Sequence, residues 1–152
     1  SFKIDEIDKK FKLFKKGKRV LDLGSAPGGW SQIAVERVGH GNVIALDILD
    51  MDEIDGVSFI KQDFLEPEAE EKVLTLAGDK KFDVVMSDMA MNTVGDKEVD
   101  HLRTLMLLEA AFDFAIKILK PEGDFVGKIF QGGTEPELFS KIKKRNLNKS
   151  LK

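Results

Sequence analysis

A glycine-rich segment follows the first apolar run of the chain and has the composition of a ligand-binding loop. The segment reads Gly24-Ser25-Ala26-Pro27-Gly28-Gly29-Trp30 and comes directly after the run at 19–23. Glycine lets a backbone approach a ligand closely, and the first turn of a following helix supplies free N–H donors. Many such turns are only structural, so the loop by itself is a weak indication of a ligand.

Two carboxylates end or follow the next two apolar runs. Asp47 ends the run that begins at residue 42, and Asp63 follows the run at 57–60. A carboxylate at the first position can accept hydrogen bonds from both hydroxyls of a ribose. A carboxylate at the second can accept one from the exocyclic amine of adenine. Together with the glycine loop, they predict an adenosine site.

The spacing of the glycines discriminates between adenosine cofactors. A dinucleotide site needs G-x-G-x-x-G, which seats the pyrophosphate on the helix N-terminus. Here the order from Gly24 to Gly29 is G-x-x-x-G-G, with Pro27 inside it. The loop therefore suits a ligand without phosphates, and we expect S-adenosylmethionine rather than a nicotinamide dinucleotide.

A lysine and an aspartate near two later apolar runs are candidates for chemistry. Lys128 lies inside the apolar run at 124–130, and a lysine in such a run rarely lacks a partner. The alternative is an edge position from which the amine reaches water. Asp88 follows the apolar run at 82–86. It could equally serve only to stabilise a turn.

The elements that must position these residues alternate between strand and helix. Strands are predicted at 19–23, 42–46, 57–60, 82–86 and 124–130, and helices at 4–14, 30–38, 68–77, 99–119 and 136–144. This alternation predicts one doubly wound, Rossmann-like α/β domain over residues 1–152, with a mostly parallel sheet covered on both faces. Ligands bind such sheets beyond the carboxyl ends of the strands.

Composition excludes several classes of protein. The 152 residues contain no cysteine and two histidines, His40 and His101. Disulfides, zinc–thiolate sites, iron–sulfur clusters and thiol nucleophiles are therefore excluded, and no metal site is predicted. No apolar run approaches the ~18 residues that a membrane span requires. No signal peptide is recognisable, and we expect a cytoplasmic protein.

Charge is distributed unevenly along the chain. The net charge is +5 over residues 1–19 and +6 over residues 141–152, against −3 for the whole chain. A predicted basic helix at 1–18 and a basic tail at 141–152 thus flank an acidic middle. Basic ends favour contact with a polyanion such as RNA, because lysine and arginine release counterions from phosphate. A solvated helix face and a simple tail are the alternative interpretation.

Several segments together resemble the FtsJ/RrmJ-type RNA 2′-O-methyltransferases. They are GSAPGGWSQ (24–32), SDMAMN (87–92), VDHLR (99–103), GKIFQG (127–132) and, more loosely, FKIDEI (2–7). The resemblance extends from about residue 2 to about residue 144 in the family's order. It is strongest to the bacterial branch, which methylates a uridine ribose of large-subunit ribosomal RNA. Other branches act on tRNA or on mRNA caps.

The resemblance implies a class I methyltransferase fold and a catalytic Lys-Asp-Lys-Glu tetrad. Its first three members fall on Lys3, Asp88 and Lys128. The glutamate has no counterpart, and the family's last two strands are expected to be missing. Met91 stands where the family usually has proline.

The resemblance also implies a role for each candidate residue. Lys128 would be the general base, with Lys3 nearby. Asp88 would orient the Lys128 amine and would also contact the cofactor. The methionine part of S-adenosylmethionine would be held by the glycine loop, its ribose by Asp47 and its adenine by Asp63. The loop residues concerned are Gly24, Ala26, Gly28, Gly29 and Trp30.

Ribosomal RNA, within the large subunit, is the expected partner of a monomeric enzyme. Two alternatives remain open. One is a module that binds S-adenosylmethionine and RNA with little activity, and the other is a methyltransferase for tRNA, a small molecule or protein.

Overall fold

The fold is one mixed sheet with helices on both faces. The computed structural model describes residues 2–25, 28–88, 94–129 and 138–143. The helices are α1 (Phe2–Phe11), α2 (Gly29–Val38), α3 (Ala69–Leu76) and α4 (Lys97–Ile118). The strands are β1 (Val20–Leu23), β2 (Val43–Asp47), β3 (Val57–Lys61), β4 (Phe82–Asp88), β5 (Leu119–Ile129) and β6 (Leu138–Lys143). None of these helices is long and apolar enough to cross a membrane.

The strand order is β3-β2-β1-β4-β5-β6, and the first five strands are parallel. The chain moves outward from β1 to β3 and then returns to place β4 on the other side of β1. This reversal opens a crevice beyond the carboxyl ends of β1 and β4, where ligands bind in folds of this kind. The predicted doubly wound α/β fold is confirmed.

Each face of the sheet is buried under one pair of helices. On one face α1 and α2 cover a cluster that includes Ile4, Trp30, Met86 and Val126. On the other face α3 and α4 cover a cluster that includes Leu21, Val73, Phe82, Phe114 and Phe125. All four residues of β1 are buried, as expected for a central strand of a parallel sheet.

The prediction of a helix at 136–144 is wrong, because residues 138–143 form strand β6. This strand lies antiparallel to β5, with Ile129 opposite Leu138 and Asp124 opposite Lys143. Without β6, β5 would leave a row of backbone N–H and C=O groups unpaired at the sheet edge. The backbone hydrogen bonds that β6 makes with the edge of β5 stabilise this segment more than its weak helical pattern of apolar residues would.

Helix α1 is shorter than the predicted basic helix. It ends at Phe11, because Lys12 adopts a left-handed backbone conformation with φ of 53°. The carboxylate of Asp8 then accepts a hydrogen bond from the Phe14 N–H at 2.7 Å. This bond draws the chain away from the helix axis, so that Leu13 and Phe14 are buried beneath α1 as part of a loop.

Candidate functional site

The glycine loop is anchored to the carboxyl end of the neighbouring strand. The N–H groups of Gly24 and Ser25 both donate to the Leu46 carbonyl, at 2.9 and 3.1 Å. Asp47 is the next residue after Leu46, so the loop and this carboxylate are held side by side. Ala26 and Pro27 lie outside the described residues.

Gly28 begins helix α2 in a conformation and a space that only glycine can use. Its φ is 115°, and an added Cβ would lie 2.9 Å from Ile54 Cδ1 and 3.3 Å from Met51 Sδ. The loop that follows β2 therefore closes directly over the start of α2. Gly28 also has no side chain to cap the first turn, in which Gly29 and Trp30 lie. The Trp30 ring itself is buried in the core under α1.

Asp47 and Asp63 lie at the carboxyl ends of adjacent strands, as predicted. Asp47 lies opposite Lys61 in the backbone register of β2 and β3, and Asp63 is two residues after Lys61. Each carboxylate is oriented by a backbone N–H two residues further along the chain. Asp47 accepts from Leu49 at 2.9 Å, and Asp63 accepts from Leu65 at 2.9 Å.

Three exposed apolar side chains surround these carboxylates and were missed by the sequence analysis. Ile48, Leu49 and Leu65 are 56%, 59% and 57% exposed. Apolar residues directly after a strand-ending aspartate were the available signal, because loops at that position are usually polar. They give the site an apolar surface of the kind that a flat aromatic ring covers.

Lys128 and Asp88 face each other across strands β4 and β5. They are paired in register, with 3.7 Å between Lys128 Nζ and Asp88 Oδ2, and their side chains are only 15% and 16% exposed. The preceding residue, Gly127, lets helix α4 pack close to β5, because an added Cβ would overlap the Leu108 side chain of α4. The sequence therefore places a partly buried amine–carboxylate pair at the carboxyl edge of the sheet.

A further carboxylate, Asp22, lies beneath the glycine loop and was also missed by the sequence analysis. It is 1% exposed in β1 and accepts a 2.6 Å hydrogen bond from Ser31 Oγ on α2. Burial raises the pKa of Asp22 to about 7, against the opposing effect of the Ser31 bond and with a further increase from the charges of Asp88 and Asp47. The charges of Asp88 and Asp47, at the carboxyl ends of neighbouring strands, therefore act on the buried Asp22.

Comparison with known proteins assigns the family. A model described as FtsJ-like methyltransferase matches residues 1–150. The chain belongs to the FtsJ-like methyltransferase family. The resemblance predicted from the sequence motifs is thereby confirmed.

Relatives within the FtsJ-like family include proteins named ribosomal RNA large subunit methyltransferase E. The protein of this name from Rickettsia rickettsii is 47% identical over 150 residues, which are 95% of this chain and 66% of the relative. That from Azorhizobium caulinodans is 47% identical over 148 residues, or 95% of this chain and 61% of the relative. The chain thus spans about two thirds of the length of the curated relatives it matches.

Solved structures support the same fold. A ribosomal RNA methyltransferase, described as putative, from Plasmodium falciparum is 28% identical with a TM-score of 0.77, over 99% of this chain and 82% of that one. An rRNA methylase, also described as putative, from Clostridium thermocellum is 21% identical with a TM-score of 0.61, over 86% and 73% of the two chains. Family membership and fold together support S-adenosylmethionine as the methyl donor.

Lys3, the remaining predicted member of the FtsJ-like tetrad, lies in the first turn of α1. Its side chain lies outside the described part of the structure. The next residue, Ile4, is fully buried in the same cluster as Met86 and Val126. Since those residues lie two positions before Asp88 and Lys128, the start of α1 is on the side of the sheet that leads to this pair.

Metal-binding side chains do not cluster in the part of the chain that the structure describes. No group of three or more histidine, aspartate or glutamate residues there has the arrangement needed to hold a metal ion. Met91 and Asn92 of the family-like SDMAMN segment lie outside that part.

Proposed function

We propose that residues 1–152 form a single methyltransferase domain that transfers a methyl group from S-adenosylmethionine to a ribose 2′-hydroxyl of large-subunit ribosomal RNA. The observation that carries the proposal is the partly buried Lys128–Asp88 pair at the carboxyl ends of the adjacent strands β5 and β4. A partly buried amine beside an adenosine-binding edge is suited to taking a proton from a hydroxyl next to the cofactor.

The cofactor site is built from backbone and carboxylate groups. The loop at 24–30 would receive the methionine part, Asp47 the ribose hydroxyls and Asp63 the adenine amine. Ile48 and Leu49 would cover the adenine ring. S-adenosylmethionine would supply a methyl group on a positively charged sulfonium, and the carboxylates Asp47 and Asp88 near the glycine loop would suit that charge.

The chain's own residues would handle the proton. Lys128 Nζ would accept the proton of the ribose 2′-hydroxyl as that oxygen takes the methyl group that bound S-adenosylmethionine would supply, with the cofactor's sulfur as the leaving group. Lys128 must be unprotonated at that moment, so Asp88 would serve chiefly to orient the amine. Low exposure of both side chains keeps water from competing with the 2′-hydroxyl. Correct positioning of oxygen and methyl would supply several kcal/mol of the rate enhancement.

Substrate choice is supported by the names of the relatives and by charge. At 47% identity the relatives carry the name ribosomal RNA large subunit methyltransferase E. The exposed lysines of α1 and the following loop offer contacts for a phosphate backbone. A uridine of the large subunit as the target, action as a monomer and a cytoplasmic location belong to the same proposal.

The test is methyl transfer from labelled S-adenosylmethionine to undermethylated large ribosomal subunits, followed by alkaline digestion. Label in alkali-resistant dinucleotides is expected, because a 2′-O-methyl group blocks cleavage at that ribose. Lys128→Arg should lower kcat on the order of 10²- to 10⁴-fold, since a guanidinium cannot accept the proton. The matched control is Lys120→Arg, because Lys120 pairs with Asp83 at 3.1 Å between the same two strands at their other end.

Other outcomes would contradict the proposal. Label in protein, in free bases or in small molecules would exclude ribose methylation. Cofactor binding without transfer would identify a binding module. Equal losses in Lys128→Arg and Lys120→Arg would show that Lys128 contributes only to the sheet.

A further inference from the structure

Arg37, near the end of α2, joins that helix to two successive turns of α1. Its Nη1 lies 2.5 Å from Asp8 Oδ2, and its Nη2 contacts Asp5 Oδ1. The guanidinium fork thereby meets one carboxylate with each of its two ends. This geometry is specific to arginine, because a lysine amine is a single point of charge.

The two carboxylates are held in place by further contacts. Asp5 also accepts from Lys9 at 3.3 Å on its own helix. Asp8 is 8% exposed and accepts from the Phe14 N–H at 2.7 Å, which fixes the end of α1. Arg37 is the chief cause of the lowered pKa of Asp5, and Asp5 in turn raises the pKa of Arg37. Both partners therefore remain charged at neutral pH.

The described apolar side chains of helix α1 give it limited burial. It is ten residues long, and helices of this length are marginal without tertiary contacts. Among its described side chains, Ile4 is the fully buried apolar one, and Ile7 is only partly buried. A single buried isoleucine anchors a helix but leaves its rotation and tilt free. The contacts of Arg37 with Asp5 and Asp8 remove that freedom.

We infer that Arg37, through Asp5 and Asp8, is a positioning residue that fixes α1 and thereby delivers Lys3 to the Lys128–Asp88 pair. This inference rests on the proposed function, with Lys3 added as the member of the catalytic group that the family resemblance implies. Asp5 lies two residues after Lys3, so the clamp formed by Arg37, Asp5 and Asp8 acts within one helical turn of it. The clamp also leaves the cofactor loop untouched, because Arg37 lies two turns further along α2.

A double-mutant cycle between Arg37 and Lys3 tests the inference. Arg37→Gln should lower kcat for RNA on the order of 10- to 100-fold, as expected for a displaced catalytic group, and leave the KM for S-adenosylmethionine unchanged. In a Lys3→Ala background the same change should cost nothing more, because no amine remains to be positioned. Arg37→Lys should recover part of the loss. The control is Glu36→Gln, an exposed neighbour whose carboxylate accepts from Gln32 at 3.2 Å within α2.

Additive losses in the cycle would overturn the inference, because they would mean that Arg37 acts independently of Lys3. A loss in Glu36→Gln equal to that in Arg37→Gln would overturn it as well.

Amide hydrogen exchange tests the clamp without requiring activity. Arg37→Gln, and the milder Asp5→Asn, should raise exchange in α1 while β1 and β4 keep their protection. Trp30, the single tryptophan, packs in the same cluster as Ile4 and should report the change in α1 by its fluorescence. Unchanged exchange in α1, or an equal rise throughout the sheet, would contradict the clamp. If the wild-type chain transfers no methyl group but α1 loosens as expected, the proposed function fails and the clamp stands.

Discussion

At the scale of single residues, Asp22 couples stability to pH. Its folded-state pKa of about 7 lies above the ordinary value of 3.8, so the folded protein holds this proton more tightly than the unfolded chain. The resulting stabilisation is fully present below about pH 4 and is lost as the pH rises to about 7. Over that range the loss is on the order of 4 kcal/mol, since one pKa unit corresponds to ~1.4 kcal/mol.

Asp22→Asn should remove this pH dependence. Asparagine can accept the Ser31 hydrogen bond but carries no charge to desolvate. We therefore expect the variant to match the wild type near pH 4 and to exceed it increasingly up to about pH 7.5 in free energy of unfolding, measured with urea. Ser31→Ala is the matched control, because it deletes the bond that lowers the pKa of Asp22 and should extend the loss of stability to higher pH. Parallel curves for wild type and Asp22→Asn would contradict the assignment.

At the scale of elements, two aspartates at the start of helix α4 accept hydrogen bonds from different groups. Asp96 is the N-cap, and its carboxylate accepts from Glu98 and Val99 at 3.0 and 3.1 Å. Asp100, one turn later, is 2% exposed and accepts from the N–H groups of residues 94 and 95 at 2.6 and 3.0 Å. Asp100 thus holds the segment that enters the helix, in addition to lying within it.

These contacts predict unequal effects of the same substitution. Asparagine is as good an N-cap as aspartate, so Asp96→Asn should change the free energy of unfolding by less than about 0.5 kcal/mol. Asp100→Asn should lower it by ~1–3 kcal/mol, because the new amide directs a donor at one of the two N–H groups that donate to the buried Asp100 carboxylate. Urea unfolding of the two variants is the measurement. Equal effects would show that Asp100 contributes no more than a surface cap.

The sequence predicted the order of strands and helices well, but tertiary relations less well. Alternating apolar runs sufficed for the parallel sheet, and Asp47 and Asp63 were found because strand ends share one edge. The Ser31 bond to Asp22 joins elements whose contact no local pattern reveals. The spacing of apolar residues along α4 also did not predict that Leu102 and Met106 are 59% and 61% exposed. They lie in the first half of α4, while the second half packs on the sheet.

At the scale of the whole molecule, negative and positive charges lie in different parts of the fold. Asp47 and Asp88 lie at the carboxyl ends of their strands, where a cationic cofactor would bind, and Asp22 is buried beneath the glycine loop. The net charge of +5 over residues 1–19 falls on α1 and the loop that leads into β1, where Lys9, Lys10, Lys12, Lys15 and Lys16 are exposed. RNA approaching along α1 and the following loop would thus meet a net positive charge before it reaches the carboxylates of the site.

This arrangement predicts where RNA affinity depends on salt. Lys10→Gln with Lys12→Gln should weaken RNA binding and reduce the slope of log K against log salt by ~1–2, since each lost phosphate contact lowers it by about 0.7–0.9. The control pair, Lys80→Gln with Lys81→Gln, changes net charge equally at exposed positions before β4. If only total charge governed binding, both pairs would shift the slope alike. A shift confined to the first pair places the RNA path along α1, the helix that carries Lys3.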